Sequence, residues 1–401
     1  MIDKIQSLIK SKQEESFELA FELAKGLNIS LEEVLSPWID LIEAANLEKE
    51  PPQQALKKLF NIQKLTIKNA ALVKLPENII FLTNLKSLSI GDTPIESLPE
   101  NLWKLSYWDD DIHEYRSPML GEIRINNTQL KKLPDTFGKL QFLYKLIIEN
   151  SPLEELPESI GELSSLQSIK IQKTNLKSLP KSIGNLKKVY IAKFSDNKIN
   201  KLPNTLCNMS QLGRLELQNN NISSLPPSLG NCESLVTIDM TNNNLSNLPD
   251  SLSDRPLIIL YLTQNNFKTI PRCIQDMKEL ETLWLNKNEI TEVCKELSLM
   301  PKLKELVLSD NNIKQFAVDS SGYPALKSLM IQGNNLKNLP EELTKIKNLG
   351  SLYLNNNNIE EFPESIQNME NLSILSIGDN PINKEEIKKT QAFIPKCYIS
   401  I

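Results

Sequence analysis

Apolar residues recur along the chain on a fixed period. Units reading L-x-x-L-x-L-x-x-N-x-L-x-x-L-P begin at Ile62, Leu85, Leu120, Leu143, Leu166, Val189, Leu212, Leu235, Leu257, Leu280, Leu303, Leu326, Leu349 and Leu372. Successive starts lie 23 residues apart, save one step of 22 and one of 35, so fourteen units share one period and a single twelve-residue insertion interrupts them. Within each unit x-L-x-L-x alternates with period two, which predicts a half-buried strand. Leu283 and Leu285 would point inward, and Thr282, Trp284 and Asn286 outward. Identical short strands stack in parallel, and fourteen of them at about 4.8 Å per step predict a sheet about 60 Å long.

The Asn of each unit leaves the strand at a turn, where its amide can satisfy backbone groups of its own coil and the next. Asn197, Asn220, Asn243, Asn265, Asn288, Asn311, Asn334, Asn357 and Asn380 hold this place in the last nine units, against Ala70, Thr93, Thr128, Ser151 and Thr174 in the first five. A hydroxyl makes fewer bonds than a carboxamide, so the N-terminal third is expected to be looser. The Pro after the last Leu, as at Pro157, Pro226 and Pro340, fixes φ and lacks a donor. It predicts a short 3₁₀ or polyproline turn rather than a long helix.

No repeat can bury its apolar face alone, so both ends need lids. Residues 1–52 predict a helical N-terminal cap. Phe17, Ala20, Phe21, Ala24 and Leu27 share one helical face. Ser30 with Glu33 matches a capping box, Ser36 before Pro37 marks a further helix start, and Pro51 and Pro52 end the segment. Residues 53–382 hold the fourteen repeats, with the insertion at 106–118. Residues 383–401 predict a C-terminal cap, a helix over Lys384–Phe393 and a final strand within Cys397–Ile401.

A repeat of 20–29 residues with this consensus resembles the leucine-rich-repeat family. The resemblance covers about residues 53–401, and the 23-residue Leu-Pro spacing looks most like the bacterial and plant-like subtypes. It implies an α/β horseshoe solenoid with a parallel sheet on the concave face and a thin convex side. Certain bacterial effectors of similar type carry a ubiquitin-ligase domain after the array, and here only a lid is expected there.

Charge and composition narrow the function. The 45 Lys and Arg against 50 Asp and Glu give a net charge of −5 and no broad positive field for nucleic acid. No run resembles a membrane span, and Met1–Ala20 lacks the apolar core of a signal peptide. Five scattered cysteines, Cys207, Cys232, Cys273, Cys294 and Cys397, form no CxxC and predict free thiols in a reducing compartment. Nucleotide-binding, zincin and hydrolase motifs are missing, so neither enzyme nor cofactor is expected. The one histidine, His113, lies in the insertion with Asp109, Asp110, Asp111 and Glu114. A metal cluster there would need convergent ligands, and a loop that is solvated, structural or partner-contacting is the reading preferred.

The central outward column of the sheet runs Thr66, Ser89, Arg124, Ile147, Lys170, Lys193, Glu216, Asp239, Tyr261, Trp284, Val307, Met330, Tyr353, Ser376. A basic segment (Arg124, Lys170, Lys193) gives way to an acidic pair (Glu216, Asp239), then to five apolar or aromatic residues, with Ile259 beside Tyr261. Lys193 stands next to Glu216, which would allow a lateral ion pair. Strand propensity and packing explain one or two aromatics. Five in succession on a face open to water point to an interaction site. These residues are therefore the candidate partner-binding surface for a protein or peptide, with Tyr261 and Trp284 as anchors. A cytoplasmic scaffold is expected, with a secreted or surface-displayed effector that binds a host molecule as the alternative.

Overall fold

A computed structural model describes residues 1–12, 14–106, 108–109, 114–115, 120–319 and 322–401. They form two compact units, residues 1–193 and 194–401.

The first unit begins with five helices: α1 (Ile2–Lys10), α2 (Glu14–Gly26), α3 (Leu31–Leu35), α4 (Ile39–Ala44) and α5 (Pro52–Phe60). Phe17, Ala20, Phe21 and Ala24 are buried as their spacing predicts. Leu27 is not; it lies beyond the end of α2 and stays exposed with Leu19, Leu23 and Leu31. Ser30 caps α3 through the reciprocal box with Glu33. Ser36 starts no helix: its hydroxyl donates back to the Glu33 carbonyl at 2.9 Å and closes α3. Pro51 and Pro52 do not end the helical segment either. Pro52 opens α5, where the missing N–H costs nothing. Trp38 is fully buried, edge-on to Phe60 and Phe81 at 6.1 and 6.5 Å, and ties the helices to the first repeat.

Six parallel strands follow: β1 (Lys64–Lys68), β2 (Ser87–Gly91), β3 (Glu122–Asn126), β4 (Lys145–Glu149), β5 (Ser168–Gln172) and β6 (Ile191–Lys193). Their leucines and isoleucines stand side by side, Leu65 with Leu88, Leu88 with Ile123 and onward. In the insertion, Trp108–Asp109 pairs antiparallel with Glu114–Tyr115, a short ladder where only a loop is expected. Asp110, Asp111 and His113 of the considered metal cluster lie outside the described residues.

The second unit carries nine parallel strands: β7 (Arg214–Glu216), β8 (Thr237–Asp239), β9 (Ile259–Tyr261), β10 (Thr282–Trp284), β11 (Glu305–Val307), β12 (Ser328–Met330), β13 (Ser351–Tyr353), β14 (Ile374–Ser376) and β15 (Tyr398–Ser400). A C-terminal helix, α6 (Lys384–Phe393), precedes β15 and is capped by Asn383. Prolines open one-turn 3₁₀ segments, as Pro226 does before Pro227–Asn231 and Pro340 before Glu341–Lys345. One such site forms a single α-turn instead, Arg272–Gln275 after Pro271. The fold is the α/β leucine-rich-repeat solenoid.

Division between the units coincides with a change of turn chemistry. In the second unit, from Asn220 to Asn380, each ladder Asn carboxamide spans two repeats. Asn220 Nδ2 donates to the carbonyls of Phe194 and Leu217, both at 2.9 Å, and its Oδ1 accepts the Ile199 N–H at 3.0 Å. Because carbonyls just past the strand go to these amides, the regular ladder stops after three residues. The first five strands, with hydroxyls or Ala70 at that place, run five residues. There the bonds are fewer: Thr128 Oγ1 meets Ser151 Oγ at 2.9 Å, and the buried Thr93 Oγ1 has no partner among the described residues.

Two of the cysteines are not free. Cys207 and Cys232 form a disulfide between adjacent repeats, with Cα atoms 4.7 Å apart. Cys232 occupies the place of Met209 one repeat on, so the pair is separated by 25 residues rather than 23. That offset of two sets them diagonally across the turn, within reach. Cys273, Cys294 and Cys397 remain thiols, and burial pushes Cys273 and Cys397 up to about 11.

Candidate functional site

The strands of the second unit hold one register from end to end. Glu216, Asp239, Tyr261, Trp284, Val307, Met330, Tyr353 and Ser376 are consecutive partners, and β15 extends the column to Ser400. Tyr261, Trp284, Met330 and Tyr353 are half-buried and face outward, as does Ile259 beside them. The Trp284 indole Nε1 is itself buried, with no hydrogen-bond partner among the described residues. The rings of Tyr261 and Trp284 stand 4.7 Å apart at 55°, a tilted aromatic pair. Such pairs gain about 0.5–1.5 kcal/mol beyond their buried area.

Two members of the column depart from the expected open face. Val307 is only 7% exposed, sunk between the larger Trp284 and Met330 on either side. Glu216 is 4% exposed and accepts a charge-assisted hydrogen bond from Arg214 Nε in its own strand. Val307 is floor rather than contact surface, and the Glu216 charge is spent within the protein. Four outward apolar side chains remain in the column, with Ile259 flanking them.

Asp239 keeps its charge differently. Its Oδ1 accepts the Thr241 N–H at 2.9 Å, and no cation pairs with it among the described residues. Glu305, at the first position of β11, is likewise half-buried and without a cationic partner there. The neighbouring Lys304 is taken by Glu281 at 2.7 Å. Both free carboxylates act on Tyr261. Desolvation pushes its phenol above the ordinary 10, and the charges of Glu305 and Asp239 push the same way against Arg214. Reasoning confined to the central column missed Glu305. Reading the first strand position in parallel, Arg214, Thr237, Ile259, Thr282, Glu305, would have found it.

In the first unit Arg124, Lys170 and Lys193 share the corresponding register. The expected basic segment is largely compensated. Arg124 Nη2 meets Glu122 at 2.7 Å, Lys145 meets the same carboxylate at 3.1 Å, and Lys170 meets Glu149 at 2.7 Å. Desolvation raises the Glu122 carboxyl, but Lys145 and Arg124 outweigh it and hold it below the usual range.

A further column was not foreseen. The residue before each turn Asn or hydroxyl has positive φ in all fourteen repeats, from Asn69 and Asp92 to Asn356 and Asp379, with Gly333 in one of them. Several link side chain to side chain, as Asn219 to Asp196 at 2.6 Å and Asn242 to Asn219 at 2.8 Å. Asn and Asp tolerate this backbone region best after glycine, which is the signal that could have revealed it.

Family models of the leucine-rich repeat region and the leucine rich repeat match residues 196–321 and 324–382. Residues 196–382 carry leucine-rich repeats. No curated protein matches it in sequence. Among solved structures it is similar to a leucine-rich-repeat protein of Leptospira interrogans, 28% identical over 87% of this chain and 98% of that one, with a TM-score of 0.64. A plant peptide hormone receptor, RGFR1, solved in complex with RGF2, is 25% identical over 82% of this chain and 53% of its own, with a TM-score of 0.65. The functional domain of InlJ from Listeria monocytogenes shares the fold at 19% identity, over 85% of this chain and 72% of its own, with a TM-score of 0.60. Bacterial and plant neighbours agree with the subtype that the 23-residue Leu-Pro spacing implies. Among the described residues no helix is long and apolar enough to cross a membrane.

Proposed function

We propose that this protein is a non-enzymatic scaffold that grips a protein or peptide on the open sheet face of its second unit. The observation that carries the reading is the outward run of Ile259, Tyr261, Trp284, Met330 and Tyr353, held in register and each partly exposed. Exposed contiguous apolar surface of this kind marks interaction sites, and Trp and Tyr dominate interface hot spots. A plant receptor of similar fold, solved with its peptide hormone, supports the reading by analogy. The test is a pull-down from the native lysate with wild type and the Tyr261→Ala/Trp284→Ala double variant. The double variant should weaken the captured partner by roughly 2–4 kcal/mol if both residues are hot spots, with an unchanged melting transition. Equal capture by both proteins would reject the face.

One observation favours a second reading, in which the protein works outside the cytoplasm as a secreted or surface-displayed binder. Disulfides persist in oxidising compartments, and Cys207–Cys232 is one. Fractionation of the native producer tests this, and a purely cytosolic pool with both thiols reduced would rule it out.

A further inference from the structure

The aromatic pair of the second unit is flanked by negative charge that the protein leaves uncompensated. Asp239 is the lateral partner of Tyr261 on β8, one strand before it, and Trp284 is the partner on the other side. Glu305 lies two strands beyond Tyr261, at the first position of β11. Two neighbouring cations are committed elsewhere, Arg214 to Glu216 and Lys304 to Glu281. A tilted Tyr–Trp pair offers a cation the negative faces of its rings. Two half-buried carboxylates at its edges add Coulomb attraction that bulk water screens poorly.

Farther along the same column the chemistry changes. Met330 and Tyr353 are adjacent partners, half-buried, with Ser328 and Ser351 at the first positions of their own strands and Glu305 one strand before Ser328. Three repeats separate the middle of the Tyr261–Trp284 pair from the middle of the Met330–Tyr353 pair. At about 4.8 Å per strand that is about 14 Å, the reach of roughly four residues of extended chain at about 3.3 Å each.

We propose that the face recognises an extended peptide segment carrying a Lys or Arg side chain, which seats against Tyr261 and Trp284 between Asp239 and Glu305, with an apolar side chain four residues away on Met330 and Tyr353. The proposal rests on the binding-scaffold reading above and specifies its ligand. Burial contributes most to the raised phenol of Tyr261, and the smaller push from Glu305 and Asp239 has the sign that favours a cation.

A random twelve-residue peptide phage library, panned on the purified full chain, tests it. Recovered peptides should be enriched in Lys or Arg with an apolar residue four positions away. A synthetic copy of one should lose about tenfold in affinity or more against Asp239→Asn/Glu305→Gln, and that loss should shrink at high salt. If the double variant melts lower than wild type, Glu305→Gln alone serves, with a smaller loss expected. Peptides that need Tyr261 and Trp284 but show no basic enrichment, or bind the carboxylate variant equally well, would overturn this inference and leave the scaffold reading standing. If no recovered peptide depends on Tyr261 and Trp284, both fall.

Discussion

Asn243 and Ile222 are bound across one repeat: the Asn243 Oδ1 accepts the Ile222 N–H at 3.0 Å, in the protein interior. The same side chain donates from Nδ2 to the carbonyls of Leu217 and Met240 at 3.0 and 3.1 Å. One carboxamide thus serves three buried backbone groups; the two carbonyls also accept from Asn220 and Asn265 at 2.9 Å, and the Ile222 N–H has no other partner among the described residues. Asn243→Ala should destabilise the protein by about 2–3 kcal/mol, since it strands the Ile222 N–H, which costs about 1–3 kcal/mol, and removes one of two bonds at each carbonyl. Thr128→Ala, at the same place in the first unit, should cost about 1 kcal/mol. Urea denaturation of the two variants would compare them, and equal losses would remove the ladder as the difference between the units.

Hydrogen exchange should follow the same contrast. Amides of the hydroxyl repeats, such as Leu130 and Leu176, are held by Thr Oγ1 at 3.4 Å. Those of the Asn repeats, such as Ile290 and Leu336, are held at 3.0 Å. Local opening free energies track such differences, so the amides of the first unit are expected to exchange first. Uniform protection along the chain would contradict the looser N-terminal third.

The Cys207–Cys232 bond closes a loop across 25 residues and so restricts the unfolded chain. By the loop-entropy relation it contributes roughly 3 kcal/mol. Cys207→Ser should lower the denaturation midpoint to that of reduced wild type and remove any response to reductant. Alkylation of the unfolded, unreduced protein should label three of the five cysteines, those left free.

Glu122 gives a pH dependence with a definite sign. Its folded pKa lies below the ordinary 4.5, because Lys145 and Arg124 outweigh the desolvation that raises it. A depressed carboxylate stabilises the fold above its unfolded pKa, and that contribution is lost as pH falls through the folded value. Wild type should therefore lose more stability than Glu122→Gln between pH 7 and pH 3, read by denaturant midpoints at each pH. Parallel losses in the two proteins would remove Glu122 from the acid response.

Much of this was legible in the residues. Each outward side chain of the central column stands where period-two alternation puts it, and Lys384–Phe393 forms a helix as expected. The disulfide was not legible, because Cys207 and Cys232 are offset by two from the repeat period and only the stacking of turns brings them together. Nor was the role of Pro52, since a proline that cannot continue one helix is also suited to begin the next.

By itself the sequence determined the repeat, the inward and outward sets of each strand, and the Asn positions, since each follows from side-chain period and local turn chemistry. Tertiary structure decided which outward residues are available. Glu216 and Val307 carry the same signal as Asp239 and Met330, yet one is spent on Arg214 and the other sinks between larger neighbours. The exposure of Val307 depends on what the adjacent strands present, a property of stacked coils, and the charge of Glu216 on where the Arg214 side chain of its own strand turns.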